Sequence, residues 1–165
     1  MPKYQYGCIK AEYGIMDVAT GEISGLTEFD IYQNTIVVDE PEAQKTEHFK
    51  QGDPVAKVVR YGNTSKTVAF SVMDMSADSK VNWLGGTKTT VAQKDTWNAP
   101  KTNVGEMVKA LVFTLEDNSV ITIPNAGCAG RLSSNLNDTD IGMIPVVATV
   151  KSTNLEAVAD FQWAD

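Results

Sequence analysis

Alternating apolar and polar residues mark several short stretches of the chain, and Thr67–Met73 is the clearest of them. Its large apolar positions are Val68, Phe70 and Val72, and small or polar residues stand between them. This period of two is typical of a β-strand with one buried face. We therefore predict a strand here, with these three side chains in the core.

Two hairpins are predicted where turn-prone residues separate such stretches. Val55–Tyr61 leads through Gly62–Ser65 into Thr67–Met73, which indicates a first hairpin. A second hairpin is predicted for Met107–Leu115 followed by Val120–Ile123, because the residues between them are polar and favour a turn.

The last long apolar stretch, Gly142–Val150, predicts a further strand with Ile144 in the core. It contains Pro145, which has no N–H to donate to a neighbouring strand. We therefore predict that this strand lies at a sheet edge or carries a bulge. Ala110–Phe113 is apolar at consecutive positions, so each of its faces needs a cover.

One helix is predicted over about residues 75–84. Asp74 stands before it as a capping residue, and Gly85 and Gly86 follow it as a stop with positive φ. The remaining pattern indicates roughly seven to nine strands. These elements predict a single domain over residues 1–165, of mainly β class: a β-sandwich or partly open barrel with one short helix.

The segment Asp39–Pro54 departs from this pattern, because it is rich in charged residues and poor in apolar ones. Connections within hairpins usually run to about 2–5 residues, so we interpret it as a long charged loop. It is a disordered flap, a self-contained hairpin extension or an arm that docks on another molecule. It includes the single histidine, His48, which we expect to be exposed to solvent.

The formal net charge of −7 and the pI of about 4.7 argue against a nucleic-acid-binding groove, which needs a basic patch. Such a charge suits a surface that DNA passes without binding. No apolar stretch approaches the roughly 18–20 residues of a membrane helix, and the N-terminus lacks the apolar core of a secretory signal. We expect no membrane insertion, and folding in a cytoplasm.

The sequence carries no recognisable enzyme motif. A phosphate-binding glycine motif is missing, and Cys8, His48 and Cys128 lack the spacing of a zinc site. The two cysteines are expected to be reduced. Asn135–Asp140 is rich in oxygen ligands but departs from the calcium-loop pattern, so a capped turn is the preferred interpretation. We predict no catalytic residue, no cofactor and no metal site.

The three tryptophans, Trp83, Trp97 and Trp163, raise the alternative of a carbohydrate-binding β-sandwich, because exposed indoles stack on sugars. Ordinary packing is the simpler interpretation of these side chains. Trp83 in particular falls on the predicted helix, where we expect it to pack against the sheet.

A series of short motifs runs in a fixed order between about residues 34 and 150. The motifs are an acidic segment at Val38–Glu42, a strand at Thr67–Val72, a Gly-Gly-Thr end of the helix at Trp83–Thr87, a Trp near a Pro at Trp97–Pro100, Ile121–Pro124 and Asp140–Val146. Their order and spacing resemble those of the major tail proteins, or tail tube proteins, of tailed bacteriophages.

The resemblance implies a structural virion protein that forms rings, usually hexameric, which stack into a tube for DNA ejection. Inner sheets of neighbouring subunits would join around a lumen, as in the type VI secretion tube protein, which shares this architecture. The implied partners are the chain itself and the tape measure, terminator and baseplate or tip proteins, with DNA only in transit. The implied location is the virion tail, assembled in the bacterial host cytoplasm.

The resemblance also implies that a long loop between early strands reaches the next ring, and we assign this role to the charged loop at residues 39–54. We expect it to be mobile in the free subunit, with Phe49 as the apolar anchor and Glu47 and Lys50 at the rim. The predicted stacking residues are Val38, Glu40, Glu42, Glu47, Phe49 and Lys50. Alternatives are another virion β-domain, such as a capsid decoration or tail terminator protein, or the carbohydrate-binding sandwich.

Overall fold

A computed structural model describes residues 4–165 as a mainly β fold with one short helix, which confirms the predicted class. The elements are β1 (Cys8–Met16), β2 (Ile23–Glu28), β3 (Val37–Asp39), β4 (Lys45–Phe49), β5 (Ala56–Tyr61), β6 (Thr67–Val72), α1 (Ala77–Leu84), β7 (Thr87–Val91), β8 (Lys94–Asn98), β9 (Met107–Leu115), β10 (Val120–Gly130), β11 (Ile144–Val150) and β12 (Gln162–Ala164). The main sheet is a strongly curled, open half-barrel.

The strands of the main sheet follow the order β2-β1-β9-β10-β11-β6-β3, and β12 pairs with β10 beside this path. All of these pairs are antiparallel. Residues 29–32 after β2, which we call the bridging segment, link β1 with β6. The N–H of Phe29 donates to Ala11 of β1 at 3.0 Å, and that of Tyr32 donates to Ser71 of β6 at 2.8 Å. This segment therefore connects the two sides of the open half-barrel at one end.

The core lies on the inner face of the sheet, which we define as the face that contacts α1. Trp83 of the helix is only 2% exposed and packs against Phe70. Val68 and Val72 are fully buried beside Phe70, and Ile144 is fully buried as well. The predicted alternation in Thr67–Met73 and the predicted core position of Ile144 are confirmed.

The helix begins two residues later than predicted, because Ser76 caps it instead of Asp74. The Ser76 Oγ accepts the N–H of Ser79 at 3.2 Å. Asp74 accepts both the N–H and the hydroxyl of Ser76 at 2.8 Å, so it orients the capping residue. Gly85 and Gly86 follow with φ of 76° and 88°, as predicted.

The predicted hairpin of β9 and β10 is confirmed, since Val120 pairs with Thr114. The predicted hairpin of β5 and β6 is wrong. The strand β5 pairs with β4, whereas β6 lies between β11 and β3. The backbone of β6 pairs with β11 and β3 on its two sides, and its apolar face packs into the core. Neither of these neighbours is adjacent to β6 in the sequence. Short exposed hairpins also raise the strand number above the predicted seven to nine.

The prediction that Pro145 marks an edge or a bulge is also wrong. The strand β11 lies between β10 and β6, and its register with β6 runs without a shift from Ile144 to Thr149. The Pro145 carbonyl accepts the N–H of Arg131 at 3.0 Å, so its nitrogen faces the β10 side. Because β10 ends at Gly130, no ladder bond is lost there.

Candidate assembly surfaces

Residues 40–66, which we call the arm, leave the main sheet between β3 and β6. They contain β4 and β5, which pair as an antiparallel hairpin from Lys45 opposite Tyr61 to Phe49 opposite Ala56. The structure gives Asp39–Pro54 as part of a hairpin. The second strand of this hairpin, β5, lies beyond the predicted loop. The role of the segment as an arm that docks on another molecule stays a prediction.

The arm exposes apolar side chains on both of its faces. Every residue of β4 is exposed, and so is every residue of β5 after Ala56. Phe49 is 56% exposed and Tyr61 is 67% exposed. Within residues 4–165, β4 and β5 pair only with each other. A two-stranded hairpin alone in water is marginally stable, and exposed apolar side chains of this size are typical of a contact surface.

Polar contacts join the two legs of the arm to each other at its root. Lys66 forms an ion pair with Glu40 at 3.0 Å, and the Thr64 hydroxyl donates to the same carboxylate at 3.2 Å. The hydrogen bond from Lys66, with that from Thr64, lowers the pKa of Glu40. The N–H of Gly62 donates to the Gln44 carbonyl at 2.7 Å. These contacts fix the place where the arm leaves the sheet.

The predicted stacking residues do not all lie on the arm. Val38 lies in β3 and packs against the core, so it anchors the strand from which the arm leaves. Glu42 is exposed and lines a cleft at the root. Glu47 forms an ion pair with Lys45 of the same strand. Lys50 lies in the turn, where its carbonyl accepts the N–H of Asp53 at 3.0 Å.

Phe49 is the last residue of β4, and its exposed ring is available to a partner. His48, beside it, pairs with Val58 in register and is exposed, as predicted.

A second apolar surface lies on the outer face of the sheet, opposite the helix. Ala129, Val147, Ala69 and Val37 pair successively in register across β10, β11, β6 and β3. Val147 is 48% exposed and Val37 is 54% exposed. We call these four residues the outer row. Sequence reasoning missed it, because Ala69 had been assigned to a polar face and its neighbours are distant in sequence.

The chain itself covers another part of the outer face. A cleft there is lined by Ile23, Thr122 and Pro124 from the strands and by Val158 from the C-terminal segment. Thr122 is the cross-strand neighbour of Val112. The predicted need for a cover over the second face of Ala110–Phe113 is therefore met in part by C-terminal residues.

The sheet ends in two edge strands, β2 and β3, whose outer sides pair with no other strand among residues 4–165. Open edges of this kind are templates for pairing with another chain. Both edges carry carboxylates, at Glu28 and Asp39, and β3 is only 3 residues long. These features limit nonspecific pairing with strands of other chains but leave each edge open to one specific neighbouring strand.

The described part of the chain contains no group of three or more His, Cys, Asp and Glu side chains placed to hold a metal ion. Asn137 accepts the N–H groups of Thr139 and Asp140 at 3.0 and 2.7 Å, so Asn135–Asp140 forms a capped turn. Cys8 and Cys128 are both free thiols. Among residues 4–165, no helix is long and apolar enough to cross a membrane.

Two of the tryptophans are engaged within the fold. Trp83 is buried in the core, and the Trp97 Nε1–H donates to the Gly85 carbonyl at 2.8 Å. Trp163 is 43% exposed and contacts Phe161 edge-on. The three indoles therefore do not form a shared aromatic platform for a sugar.

No family model matches the chain, and no curated protein matches it in sequence. The arm, the outer row and the open edges each present apolar side chains or unpaired backbone groups to solvent, which are features of contact surfaces.

Proposed function

We propose that this chain is a non-enzymatic structural subunit of a phage tail tube, which assembles with copies of itself into stacked rings around a conduit for DNA. The observation that carries the proposal is the arm, a hairpin that is exposed on both faces and fixed only at its root. The order of motifs resembles that of the tail tube proteins, and for this reason we choose a tail tube as the assembly.

The chemistry of the surfaces supports a ring and a stack as the form of assembly. The arm, the outer row and the sheet edges are different surfaces, so copies that use them join head to tail. Head-to-tail contacts close into rings when the rotation returns to the start, and extend into open stacks when it does not. An exposed outer row that ends at an open edge strand suits the lateral contact within a ring.

The charge supports passage of DNA without retention. The chain carries −7 formally, and a lumen of the same sign repels phosphates. The partners of such a subunit are its own copies and the tape measure, terminator and baseplate or tip proteins. Its location is the virion tail, after assembly in the bacterial host cytoplasm.

Negative-stain electron microscopy and sedimentation of the concentrated protein test this proposal. Hollow tubes or stacked rings are the expected result. A monomer at every concentration and salt level would refute it. Single rings that never stack favour the other virion role, a decoration or terminator protein. Binding on a glycan array, abolished by Trp163→Ala, favours the carbohydrate-binding alternative.

A further inference from the structure

We propose that the arm of one subunit docks, in the neighbouring ring, into an acidic cleft between α1 and the end of β2. This inference rests on the proposed function and names the acceptor of the arm. The cleft has a volume of about 280 Å³, and its lining includes Tyr13, Phe29, Glu28, Asp30, Asp74 and Asp78.

The two surfaces carry opposite charge. The hairpin of the arm, residues 45–61, has four cations at Lys45, Lys50, Lys57 and Arg60 against two carboxylates at Glu47 and Asp53. It is thus net positive in a chain with a net charge of −7. Lys45 is paired with Glu47, whereas Lys50, Lys57 and Arg60 form no ion pair within residues 4–165.

The cleft contributes four carboxylates, of which two are already engaged. Asp74 accepts hydrogen bonds from Ser76, and Asp78 pairs with Lys88 at 2.8 Å. Glu28 and Asp30 are exposed and form no close ion pair with any described residue. These two side chains are the available partners for cations of the arm.

Lysines near the cleft offset part of its charge. Lys88 pairs with Asp78. Lys10 pairs with Glu12 and is also attracted by Glu28. The Lys109 Nζ lies 4.8 Å from the centre of the Tyr13 ring and 5.3 Å from that of Trp83. It donates to the Asn82 Oδ1 at 2.6 Å. Lys109 and Lys88 together offset two of the four carboxylates, so the cleft remains net acidic.

Arm and cleft lie at opposite ends of the same strand. The arm leaves at the Thr67 end of β6, where Asp39 pairs with Thr67. The cleft lies at the other end, where Ile31 bridges to Val72 and the Asp30 carbonyl accepts the N–H of Met73. A strand of this length spans roughly 20 Å. Copies joined arm to cleft are therefore in head-to-tail contact, which extends into an open stack when the rotation does not close.

The apolar parts of the two surfaces also match. Phe49 presents an exposed ring on the arm, and the half-buried rings of Tyr13 and Phe29 line the cleft, with a spacing between them of 5.8 Å. Aromatic rings pair well in tilted and edge-on arrangements. The contact that follows has an aromatic centre and a charged rim, as in well-formed protein interfaces.

Charge reversal tests the pairing. Glu28→Lys/Asp30→Lys replaces two exposed carboxylates of the cleft, and the fold should tolerate it because Glu28 lies directly opposite Glu12 in the sheet. We expect the variant to form rings but to need about tenfold or more protein for stacking. The matched control is Asp138→Lys/Glu156→Lys, which makes the same change in net charge at exposed positions outside the cleft. It should stack like the wild type.

The opposite reversal on the arm, Lys57→Glu/Arg60→Glu, should also block stacking, and the combination of both reversals should restore it. Zero-length carbodiimide cross-linking of wild-type stacks should join Lys50 or Lys57 to Glu28 or Asp30 of another copy. This second measurement decides the matter even if a variant fails to fold. If wild-type tubes lack these cross-links, or if the cleft variants stack like the control, the cleft is refuted as the acceptor of the arm. The proposed tube is not refuted by either result. A wild type that never assembles refutes both.

Discussion

Trp83 of the helix lies edge-on against Phe70 of β6, with ring centres 5.6 Å apart and an interplanar angle of 80°. Phe70 also contacts the rings of Phe29 and Phe113, at 5.6 and 5.7 Å. One side chain of β6 thus contacts the helix, the bridging segment and the β9 strand. The folding of these three parts depends on this ring.

Replacement of Phe70 should therefore be severe. We expect Phe70→Ala to lower the free energy of unfolding by about 3–5 kcal/mol, because it leaves a cavity at a fully packed site. Urea denaturation measures it. Val37→Ala is the control, since Val37 is half exposed on an edge strand. A loss below about 1 kcal/mol for Phe70→Ala contradicts this account of the core.

Removal of the hairpin should separate folding from assembly. Replacing residues 44–62 by a short Gly-Ser linker keeps Glu40 and Lys66 at the root, together with their ion pair. We expect a similar melting temperature, because β4 and β5 contribute no residue to the core, and we expect stacking to fail. Normal tubes from this variant would show that the arm is a passive insertion. A collapse of the melting temperature would show that it supports the fold.

The turn of the second hairpin, β7–β8, offers a gain in stability. Ala92 and Gln93 both have positive φ, at 50° and 63°, which is the geometry of a type I′ turn. Ala92→Asn/Gln93→Gly should raise the free energy of unfolding by about 0.5–1 kcal/mol, since these residues adopt that backbone with less strain. The same substitution pair at adjacent exposed turn residues without positive φ, Glu156→Asn/Ala157→Gly, should give no gain. Denaturant titration distinguishes the two.

The buried thiol of Cys128 should resist modification and make the fold sensitive to alkali. Burial raises the pKa of Cys128 to about 12, from an ordinary value of 9.0. At about pH 8 it is almost wholly neutral, so a disulfide reagent should react with it only after unfolding. The variant Cys8→Ser removes the half-buried thiol and isolates the signal of Cys128. Rapid reaction of native Cys8→Ser protein contradicts the buried position.

The same thiol gives the sign of a pH dependence. The fold disfavours the thiolate, so the pKa in the folded protein lies above that of the unfolded chain. The stability that this provides is complete below about pH 9 and is lost as the pH rises toward about 12. Thermal melts across this window should show a smaller alkaline loss for Cys128→Ala than for the wild type.

Duplex DNA should bind the assembled protein only weakly. Because the chain carries a net charge of −7, it offers few cations that could replace the counterions of the DNA phosphates. We expect a dissociation constant above about 1 µM at moderate salt, measured by fluorescence anisotropy. Tighter binding with a steep dependence on salt would contradict an acidic conduit.

The inner face of the sheet was predictable because its signal is local. Val68, Phe70 and Val72 alternate with small or polar residues within one strand. The turn after Leu115 directly connects two strands that pair with each other. The hairpin of the arm was not predictable, because β4 has the sequence Lys-Thr-Glu-His-Phe and every one of its residues is exposed. Without a buried face, a strand leaves no hydrophobic period in the sequence.

The outer row and the acidic cleft depend on distant pairings. Val147 meets Ala69, and Ala69 meets Val37, only after the half-barrel has curled. Asp30 and Asp78 come together at one cleft because the bridging segment runs past the helix. No single stretch of sequence contains either surface. The sequence therefore predicted stacking residues of the arm but no surface to which the arm would bind.

The Glu40–Lys66 pair joins the two strands through which the arm enters the sheet. In a tube whose rings are connected by arms, a bending force arrives at this point as tension along β3 and β6. The strand β6 is flanked by β11 on its other side, with an unbroken register from Val72 to Thr67. In the proposed tube, this ladder would be loaded in shear, so that its hydrogen bonds share the tension and resist the peeling of β6 from β11.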